Sequence, residues 1–284
     1  MKKILITGRD GQVGWELQRT LAPLGEVVAM DRQALDLADA DAIRATLRAV
    51  DADIIVNAAA YTAVDQAEKE PELANAINGT APGILAEEAQ RRGALLVHYS
   101  TDYVFDGSGS TPFAEETPTA PLNVYGRSKL AGEQAIQAVG GRHLILRTSW
   151  VYGLRGKNFL LTMLRLAKER EELRVVADQI GAPTWSRLIA EATALALARP
   201  TPCTGLYHLT SGGETSWHGF TAAILELSRD QRPREPRLSG IPASEYPLPA
   251  QRPHNSRLSC AKLARDAGIE LPHWRDALAL CLAQ

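Results

Sequence analysis

The first fourteen residues, MKKILITGRDGQVG (Met1–Gly14), decide the fold of this 284-residue chain. A short apolar run, Ile4–Thr7, leads into the glycine triplet G-x-x-G-x-x-G of Gly8–Gly14. Glycines permit a tight turn and a close approach of the backbone to a ligand. The helix expected to begin near Gln12 offers free N–H groups and the positive end of its dipole to an anion. The sequence therefore predicts a strand, a pyrophosphate-binding loop and a helix in direct succession.

Strand and helix patterns alternate through the first half of the chain. Apolar, β-branched runs of the kind found in parallel strands occur at Ile4–Thr7, Val27–Met30, Ile54–Val56, Leu95–Tyr99 and Leu144–Thr148. Helical patterns lie between them, and the longest runs from Pro71 to Arg92 and is ended by Gly93. This βαβαβ rhythm predicts an α/β fold with a doubly wound, Rossmann-like, mostly parallel sheet.

The rhythm loosens after Trp150. Helix, strand, helix and strand patterns follow at Phe159–Arg170, Leu173–Val176, Arg187–Ala198 and Leu206–Leu209. The proline-rich stretch Arg232–Pro253 is expected to be too irregular for the interior of a sheet or helix. We therefore expect a dinucleotide-binding domain and a smaller, discontinuous C-terminal α/β domain that binds the substrate. Their expected bounds are 1–149 plus about 188–218, and about 150–187 plus 219–284.

Composition narrows the possible partners. A net charge of −2 gives no basic field for nucleic acid, and no stretch approaches the ~20 apolar residues of a membrane span. The N-terminal apolar run is too short for a secretory signal. Cys203, Cys260 and Cys281 are odd in number and far apart, which fits a reducing cytoplasm. We expect a cytoplasmic protein without a nucleic-acid or membrane partner.

The second expected strand ends at Met30-Asp31-Arg32, where neighbouring side chains favour different cofactors. Asp31 can accept a hydrogen bond from a ribose 2′-OH, which favours NAD, whereas Arg32 can pair with a 2′-phosphate, which favours NADP. Both NADH and NADPH stay open. Asp36 and Leu37 lie where a carboxylate and an apolar side chain could flank the adenine, although Asp36 fits a helix N-cap or a turn equally well.

The third expected strand is followed by small residues, Asn57-Ala58-Ala59-Ala60, and then by Tyr61 and Thr62. Small side chains at a carboxyl end leave room for a ligand to lie across the sheet. Close packing of a helix on the strand is the alternative explanation.

The fourth expected strand ends in Ser100-Thr101-Asp102, and Tyr125-x-x-x-Lys129 follows some 25 residues later. Residues at i and i+4 share a helical face. An adjacent ammonium stabilises a phenolate, so we expect the pKa of Tyr125 to fall from about 10 toward neutrality, as a general acid for ketone reduction requires. The Thr101 hydroxyl can hold the carbonyl oxygen. His98 is interpreted as a strand-packing residue. A lone Y-x-x-x-K is common, but here it joins two other features at matching sheet edges.

Six segments carry a resemblance to a known family. They are GQVGWELQ (Gly11–Gln18), NAAAYTAVDQAE (Asn57–Glu68), HYSTDYVFDG (His98–Gly107), PLNVYGRSKLAGE (Pro121–Glu133), LRTSWVYG (Leu146–Gly153) and RPHNSRL (Arg252–Leu258). With them the chain resembles the extended short-chain dehydrogenase/reductases and, within these, the dTDP-4-dehydrorhamnose reductase family, over nearly its whole length. The resemblance implies NAD(P)H-dependent reduction of the C4 keto group of dTDP-4-dehydro-L-rhamnose. This is the last step of dTDP-L-rhamnose formation for polysaccharides such as the lipopolysaccharide O-antigen.

The resemblance also implies roles for residues at matching positions. Tyr125, Lys129 and Thr101 would be catalytic, with Tyr125 as the proton donor. The candidate cofactor-binding residues are Gly8, Asp10, Gly11, Gln12, Val13, Asp31, Arg32, Asp36, Leu37, Ala60, Tyr61, Thr62, Tyr99, Tyr125 and Lys129. The candidate substrate-binding residues are Thr101, Asp102, Trp150, Asn158 and Arg257, with Arg252 and Asn255 as further candidates for the nucleotide end. Arginine suits bidentate phosphate binding, but each arginine also fits a surface loop.

Two features leave alternatives open. Some relatives share a metal between subunits through acidic residues on an interface helix, and Arg187 stands at the corresponding position here. We expect no metal, and both monomer and homodimer stay open. A nucleotide-sugar 4,6-dehydratase or C4-epimerase of the same superfamily is the nearest enzymatic alternative, although Asp102 is followed by Tyr103 and not by the glutamate of related dehydratases. A non-catalytic, NADP-binding regulatory subunit is the alternative from another class.

Overall fold

The alternating apolar runs of the sequence form one parallel sheet covered by helices. A computed structural model describes residues 1–231 and 235–284 of the chain. The strands are β1 (Lys2–Thr7), β2 (Gly25–Met30), β3 (Ile54–Asn57), β4 (Leu95–Thr101), β5 (His143–Thr148), β6 (Val151–Tyr152), β7 (Glu172–Val176), β8 (Ile180–Gly181), β9 (Thr184–Trp185), β10 (Gly205–His208), β11 (Thr215–Ser216) and β12 (Arg237–Ile241). The helices are α1 (Gln12–Thr20), α2 (Ala40–Val50), α3 (Val64–Ala67), α4 (Pro71–Asn75), α5 (Ala81–Arg92), α6 (Val124–Val139), α7 (Phe159–Glu169), α8 (Ser186–Ala198), α9 (Trp217–Leu227), α10 (Ala261–Ala267) and α11 (Trp274–Leu282).

The central sheet of the described chain has six parallel strands in the order β10-β5-β4-β3-β1-β2. Buried residues alternate along β1, with Ile4 and Ile6 in the apolar cluster on one face and Leu5 in the cluster on the other. Both faces are therefore covered by helices, as in doubly wound folds. The predicted fold class is confirmed.

The strand order reverses between β1 and β3, because the chain passes from β1 outward to β2 and then returns to the other side of β1. In the register of the sheet, Thr7 at the end of β1 pairs with Met30 on one side and with Asn57 on the other. Ligands of open α/β sheets bind outside the carboxyl ends of the strands at such a reversal. The glycine loop after β1 and the small residues after β3 meet at this point.

The predicted long helix over Pro71–Arg92 is confirmed, with one irregularity. The α4 and α5 segments are joined by a π-helical turn at Ala76–Thr80, which brings one extra residue into the helix. Gly93 ends the helix in the left-handed region, with φ of 69°. The π turn places Asn78, a buried polar residue, on the side that faces α6.

Smaller sheets lie beyond Trp150. The pairs are β12 with β7, β6 with β9, and β11 with β8, and only the last is antiparallel. The expectation that Arg232–Pro253 is irregular throughout is wrong for β12. The five residues of this strand contain no proline and pair with β7 through backbone bonds that periodicity cannot reveal. Residues 232–234 of the stretch lie outside the described residues.

Three apolar clusters show how the two parts of the chain combine. The clusters on the two faces of the central sheet hold the strands of the first half, and Ile189 and Leu197 of α8 return to one of them. The third cluster joins α7, α9 and α11, with Phe220 at its centre. Leu263 of α10 packs into the core of the large sheet, although it lies near the end of the chain. The two-domain division stays a prediction, and α10 contributes to the large sheet.

A buried ion pair fastens α6 to the sheet. Arg147 of β5 donates to Glu133 of α6 through Nε at 2.9 Å and Nη2 at 2.6 Å. Both side chains are at least 96% buried, since their exposed fractions are 4% and 2%. Bidentate geometry of this kind fixes direction as well as distance. The pair therefore sets the position of the helix that carries Tyr125 and Lys129. Within the described residues, we find no helix with the length and hydropathy needed to cross a bilayer.

Candidate active site

The glycine loop packs tightly against the chain that leaves β3. Gly8 has φ of 71°, and a Cβ at this position would lie 2.8 Å from the Cα of Ala59. A Cβ on Gly14 would lie 2.1 Å from the carbonyl oxygen of Gly8, so glycine is needed for α1 to approach β1. Gly11 is the N-cap of α1, and no described side chain caps this end. The first N–H groups of α1 are free for an anion, so the loop fits the pyrophosphate of a dinucleotide.

Two arginines at the end of β2 pair with different carboxylates. Arg9 Nη2 lies 2.7 Å from Asp31 Oδ2, and Arg32 Nε lies 3.5 Å from Asp36 Oδ2. The pKa of Asp31 is lowered, chiefly by a backbone N–H that donates to it and also by Arg9. Asp36 accepts a hydrogen bond from the backbone N–H two residues on, as a turn residue does. Arg9 thus offsets the charge of Asp31 between the glycine loop and the end of β2.

The loop after β3 is held by a buried amide. Asn78 accepts from the N–H of Tyr61 at 2.8 Å and donates to its carbonyl oxygen at 3.0 Å. It also donates to Ser128 Oγ of α6 at 3.1 Å. The Tyr61 hydroxyl donates to Glu70 at 2.6 Å, which together with burial raises the pKa of Tyr61 to about 12. The backbone of Tyr61 is therefore fixed to the helix that carries Tyr125.

Tyr125 lies in the first turn of α6, beside the end of β4. Asn123 is the N-cap and accepts from the N–H of Gly126 at 2.8 Å. A Cβ on Gly126 would lie 2.2 Å from the carbonyl oxygen of Tyr103, so glycine lets the start of α6 touch the turn after β4. This contact places Tyr125 beside the end of β4, where the Thr101 hydroxyl acts to lower the pKa of the phenol. The two residues paired from the sequence therefore lie at the same edge of the sheet, and their joint catalytic role stays a prediction.

The expected fall in the pKa of Tyr125 is wrong for this structure. Burial is the largest effect and raises this pKa to about 12, the Thr101 hydroxyl acts in the opposite direction, and the charge of Asp102 adds to the rise. Lys129 is not among the groups that shift this pKa. The phenol is consequently protonated at neutral pH and holds a proton to donate.

Asp102 is a buried carboxylate at the same edge. Thr101 Oγ1 donates to its Oδ1 at 3.1 Å, whereas Oδ2 is buried with no hydrogen-bond partner among the described residues. Burial raises the pKa of Asp102 to about 6, and the opposing effects of Ser256 and Thr101 are smaller. An unpaired buried carboxylate oxygen costs free energy unless a ligand hydroxyl or N–H binds it. Asp102 is therefore suited to receive a polar group of a substrate.

Lys129 lies one helical turn beyond Tyr125 and is itself buried. Its Nζ donates to the carbonyl oxygen of Tyr99 at 2.6 Å and lies 3.2 Å from His98 Nε2. Burial lowers the pKa of Lys129 to about 8, against the smaller opposing effect of Glu133. A lysine of this pKa changes charge close to physiological pH.

Trp150 follows β5 in a strained conformation, since its φ is 48° and it is not glycine. Its indole stacks on Trp217 with ring centroids 3.5 Å apart and an interplanar angle of 9°. A Cβ on Gly181 would lie 2.7 Å from the same indole. Strain that is held by packing on both sides is common at ligand sites. The position fits an aromatic side chain presented to a substrate at the carboxyl edge of the sheet.

Comparison with known proteins agrees with this geometry. A family model described as the RmlD substrate binding domain matches residues 1–284. The chain belongs to the RmlD family. The dTDP-4-dehydrorhamnose reductase of Burkholderia thailandensis is 53% identical to it, over 99% of this chain and 98% of that protein. The enzyme of the same name from Escherichia coli K12 is 50% identical, over 96% of this chain and 94% of that protein.

Solved structures of RmlD-family proteins have the same fold. A dTDP-4-dehydrorhamnose reductase of Clostridium acetobutylicum matches with a TM-score of 0.93 at 35% identity, over 99% of this chain and 98% of that one. A Bacillus anthracis protein of the same name, solved in complex with NADP, matches with a TM-score of 0.91 at 35% identity, over 99% of each chain. The UDP-glucose 4-epimerase of Thermus thermophilus, 21% identical with a TM-score of 0.83, shares the fold. The resemblance stated from the sequence motifs is confirmed.

Several residues assigned from the sequence have structural partners of their own in this RmlD-family protein. Leu37 is buried in the apolar cluster between the sheet and α2. The Tyr99 hydroxyl bonds Thr193 in the core at 2.8 Å, so only the backbone of Tyr99 is directed at Lys129. Asp10 is an exposed side chain 3.9 Å from Arg9. Leu37 and Tyr99 are therefore core side chains, and their contact with a cofactor stays a prediction.

The residues expected at the nucleotide end are likewise engaged in internal contacts. Arg257 makes two hydrogen bonds to Glu214, at 2.6 and 2.9 Å, and Arg252 lies 2.9 Å from Asp65 Oδ2. Asn158 caps α7 and donates to Gln12 Oε1 at 2.9 Å, which links the glycine loop to the second half of the chain. The structure thus gives Asn158 a bridging contact and gives both arginines acidic partners.

Three residues near the site were not singled out as candidates from the sequence. Arg9 pairs with Asp31, Asn78 fixes Tyr61, and His98, interpreted only as a packing residue, contacts Lys129. The available signals were weak. Arg9 is the residue after the first glycine of the G-x-x-G-x-x-G loop, where the motif specifies no residue type. His98 and Tyr99 are neighbours on the fourth strand, so their side chains point to opposite faces of the sheet.

Proposed function

We propose that this chain reduces the C4 keto group of dTDP-4-dehydro-L-rhamnose to dTDP-L-rhamnose, with NADPH or NADH as the reductant. The observation that carries the proposal is the position of Tyr125 in the first turn of α6, beside the end of β4 that carries Thr101, with the buried Lys129 one turn further along the same helix. The names of the Burkholderia thailandensis and Escherichia coli relatives support the substrate, and the NADP complex of the Bacillus anthracis relative supports the cofactor.

The chain's own groups divide the chemistry between them. A nicotinamide, when bound beside the glycine loop, would supply the hydride for C4, and the C4 oxygen would then gain negative charge. The Thr101 hydroxyl, which donates to Asp102 in the unliganded protein, turns to hold this oxygen, and Tyr125 transfers its phenolic proton to it, so that the ketone becomes an alcohol and the phenol a phenolate. The Lys129 ammonium stabilises the phenolate until solvent returns the proton. Tyr125 and Thr101 act directly on the reacting oxygen.

Substrate binding is assigned to the same edge of the sheet. Asp102 offers its unpaired Oδ2 to a sugar hydroxyl, and Trp150 offers the part of its indole that stays exposed between Trp217 and Gly181 to the apolar side of the sugar ring. Gly8, Gly11 and the start of α1 bind the dinucleotide pyrophosphate. We further propose that the protein works in the cytoplasm on a small-molecule substrate, as a monomer or homodimer, with the second half of the chain as the substrate-binding part.

A substrate panel tests this function. Purified protein is mixed with dTDP-4-dehydro-L-rhamnose or with its UDP and GDP counterparts, and oxidation of NADPH and of NADH is followed by absorbance. We expect stoichiometric oxidation with the dTDP sugar and dTDP-L-rhamnose as the product. Tightly bound NAD without net consumption of reductant would instead identify an epimerase, and cofactor binding without turnover of any keto-sugar would identify a regulatory subunit.

The Arg9–Asp31 pair predicts an asymmetric effect on the two cofactors. Asp31→Ala removes the acceptor for the ribose 2′-OH, so the KM for NADH should rise about 10-fold, as expected for loss of a hydrogen bond to a charged group. A 2′-phosphate instead loses a repelling carboxylate and gains the freed Arg9, so the KM for NADPH should stay level or fall. Steady-state kinetics with both cofactors measure the difference. Glu26→Ala, which removes an exposed carboxylate near the start of β2, is the control, and equal losses for both cofactors in Asp31→Ala would refute this role.

The pH profile of kcat/KM is expected to be bell-shaped. Asp102, with a pKa of about 6, is protonated as the pH falls below that value and then loses its role as an acceptor. Lys129, with a pKa of about 8, loses its charge as the pH rises above that value and no longer stabilises the phenolate. Rates measured from pH 5 to 9.5 should therefore fall on both sides of this window. Asp102→Asn should abolish the acid limb and retain the alkaline limb, so an unchanged acid limb in that variant would remove Asp102 from the explanation.

A further inference from the structure

A buried row of polar side chains crosses the sheet and ends at Lys129. Thr7 Oγ1 lies 2.7 Å from Asn57 Oδ1, and Asn57 Nδ2 lies 3.0 Å from His98 Nδ1. His98 Nε2 lies 3.2 Å from Lys129 Nζ. The four side chains come from β1, β3, β4 and α6, and none is more than 2% exposed. An apolar core gains nothing from such a row unless every polar atom in it has a partner.

We propose that His98 is a positioning residue for Lys129, whose ammonium it holds through Nε2 in the direction that stabilises the Tyr125 phenolate. This inference rests on the proposed reductase function. An ammonium has three N–H bonds, and two of them are directed by the Tyr99 carbonyl and by His98. The third is left to face the side of Tyr125 and the cofactor. A lysine with one buried acceptor would instead be free to turn about its last bonds.

The proton positions follow from the charge of Lys129. Nε2 accepts from an ammonium only if the ring proton is on Nδ1, and Nδ1–H then needs an acceptor from Asn57. The amide of Asn57 must therefore turn its oxygen to His98 and its nitrogen to Thr7, a rotation that exchanges two nearly identical groups. With the amide orientation given by the distances above, in which Asn57 Nδ2 faces His98 Nδ1, Nε2 carries the proton and Lys129 must be an uncharged amine. The row thus links the charge of Lys129 to a single tautomer of His98.

The charges around the pair keep His98 neutral. Burial lowers the pKa of His98 well below its usual value, and Lys129 lowers it further. Glu133, on the same helix, favours the ammonium of Lys129, but it is itself paired with Arg147. An imidazolium beside the Lys129 ammonium would be two like charges in a fully buried site. His98 is consequently a neutral imidazole across the working pH range, with one ring nitrogen available as an acceptor.

A second buried histidine provides a matched control. His208 on β10 is also 0% exposed, and its Nε2 lies 3.5 Å from Arg147 Nη1. It makes no hydrogen bond to Lys129 among the described contacts. The variant His208→Leu removes an equally buried imidazole from the same sheet. Its effect on activity and on the Lys129 titration therefore shows what the loss of any buried imidazole does.

The test compares variants that keep or remove one ring nitrogen. The amide oxygen of His98→Gln reaches the position of Nε2, whereas that of His98→Asn reaches only the position of Nδ1 on the Asn57 side. His98→Leu has neither acceptor. We expect kcat to fall about 10-fold or more in the Asn and Leu variants, the size typical of an outer positioning group, and to stay near the original value in the Gln variant. KM should change little in all three.

A second readout does not depend on turnover. In protein labelled with 13C-lysine, the ε-carbon signal of Lys129, identified by its loss in Lys129→Met, is titrated by NMR without cofactor. We expect a midpoint near 8 that falls by about one pH unit in the Asn and Leu variants, since loss of an acceptor weakens the ammonium. His98→Gln and His208→Leu should retain the original midpoint.

The outcomes distinguish failure of the positioning role of His98 from failure of the proposed reductase function. An unchanged midpoint in His98→Asn, or an equal shift in His208→Leu, overturns the positioning role. The titration remains informative even if no keto-sugar is reduced, in which case the proposed function fails and the His98 contact is judged separately.

Discussion

Replacing Tyr125 with phenylalanine is expected to lower kcat at least ~100-fold, the usual contribution of a positioned general acid. The substitution removes one oxygen and keeps the ring, so the edge-to-face contact with Tyr103, at a centroid distance of 5.6 Å, is retained. The alkoxide at C4 then has only the Thr101 hydroxyl beside it, and that hydroxyl already donates to Asp102. A phenylalanine ring has no acidic proton, so this position can no longer supply the proton that the alkoxide needs.

Three measurements make this expectation specific. The dissociation constants of NADPH and NADH, measured by fluorescence, should stay within about threefold of the original, because binding of the cofactor does not involve the proton that is transferred later. The melting temperature should be unchanged or higher, since a buried hydroxyl is removed. Tyr103→Phe makes the same chemical change on the neighbouring ring and should retain most of the activity. Near-normal turnover of Tyr125→Phe would exclude the tyrosine as the acid.

Arg147→Met is expected to cost about 3 to 5 kcal/mol of unfolding free energy, the largest stability effect among these predictions. The methionine fills much of the space but leaves the Glu133 carboxylate buried without its two donors. Such a carboxylate must either stay ionised in an apolar site or take up a proton. Urea unfolding at pH 7 measures the loss, and activity should decline too, because Glu133 belongs to the helix that carries Tyr125.

Two further variants interpret the result. The double variant Arg147→Met/Glu133→Leu removes both charges and should recover most of the lost stability, since an apolar pair can replace a buried ion pair. Arg165→Met breaks the ion pair of Arg165 with Glu169, whose side chains are 60% and 47% exposed, and should cost less than about 1 kcal/mol. A loss in Arg147→Met no larger than in Arg165→Met would show that the buried pair adds little.

The sequence predicted the features that depend on local pattern. The runs at Ile54–Val56 and Leu95–Tyr99 are apolar throughout because both faces of a parallel sheet are covered, so they identified β3 and β4 correctly. The glycine spacing identified the tight turn at Gly8 because the backbone conformation there excludes other residues. The Tyr125–Lys129 spacing identified a shared helical face because residues at i and i+4 of an α-helix lie on the same side.

Features that depend on distant partners were missed. The ion pair of Arg257 with Glu214 spans 43 residues, and β12 pairs with β7 across more than 60 positions, so neither leaves a local signal. The pKa of Tyr125 was expected to fall because the spacing shows only that Lys129 is near. The depth of burial, and the binding of the ammonium by Tyr99 and His98, are tertiary properties.

The position of α10 also affects how the protein is made. Leu263 and Ile269 complete a core whose other members, such as Ile4 and Leu17, leave the ribosome some 250 residues earlier. The first half of the chain therefore cannot bury all of its apolar core while it is being synthesised. One face of its sheet stays partly exposed until α10 has been made. Such waiting intermediates aggregate readily and are bound by chaperones. Synthesis of this enzyme should accordingly be more sensitive to C-terminal truncation than the location of Tyr125 and Lys129 implies.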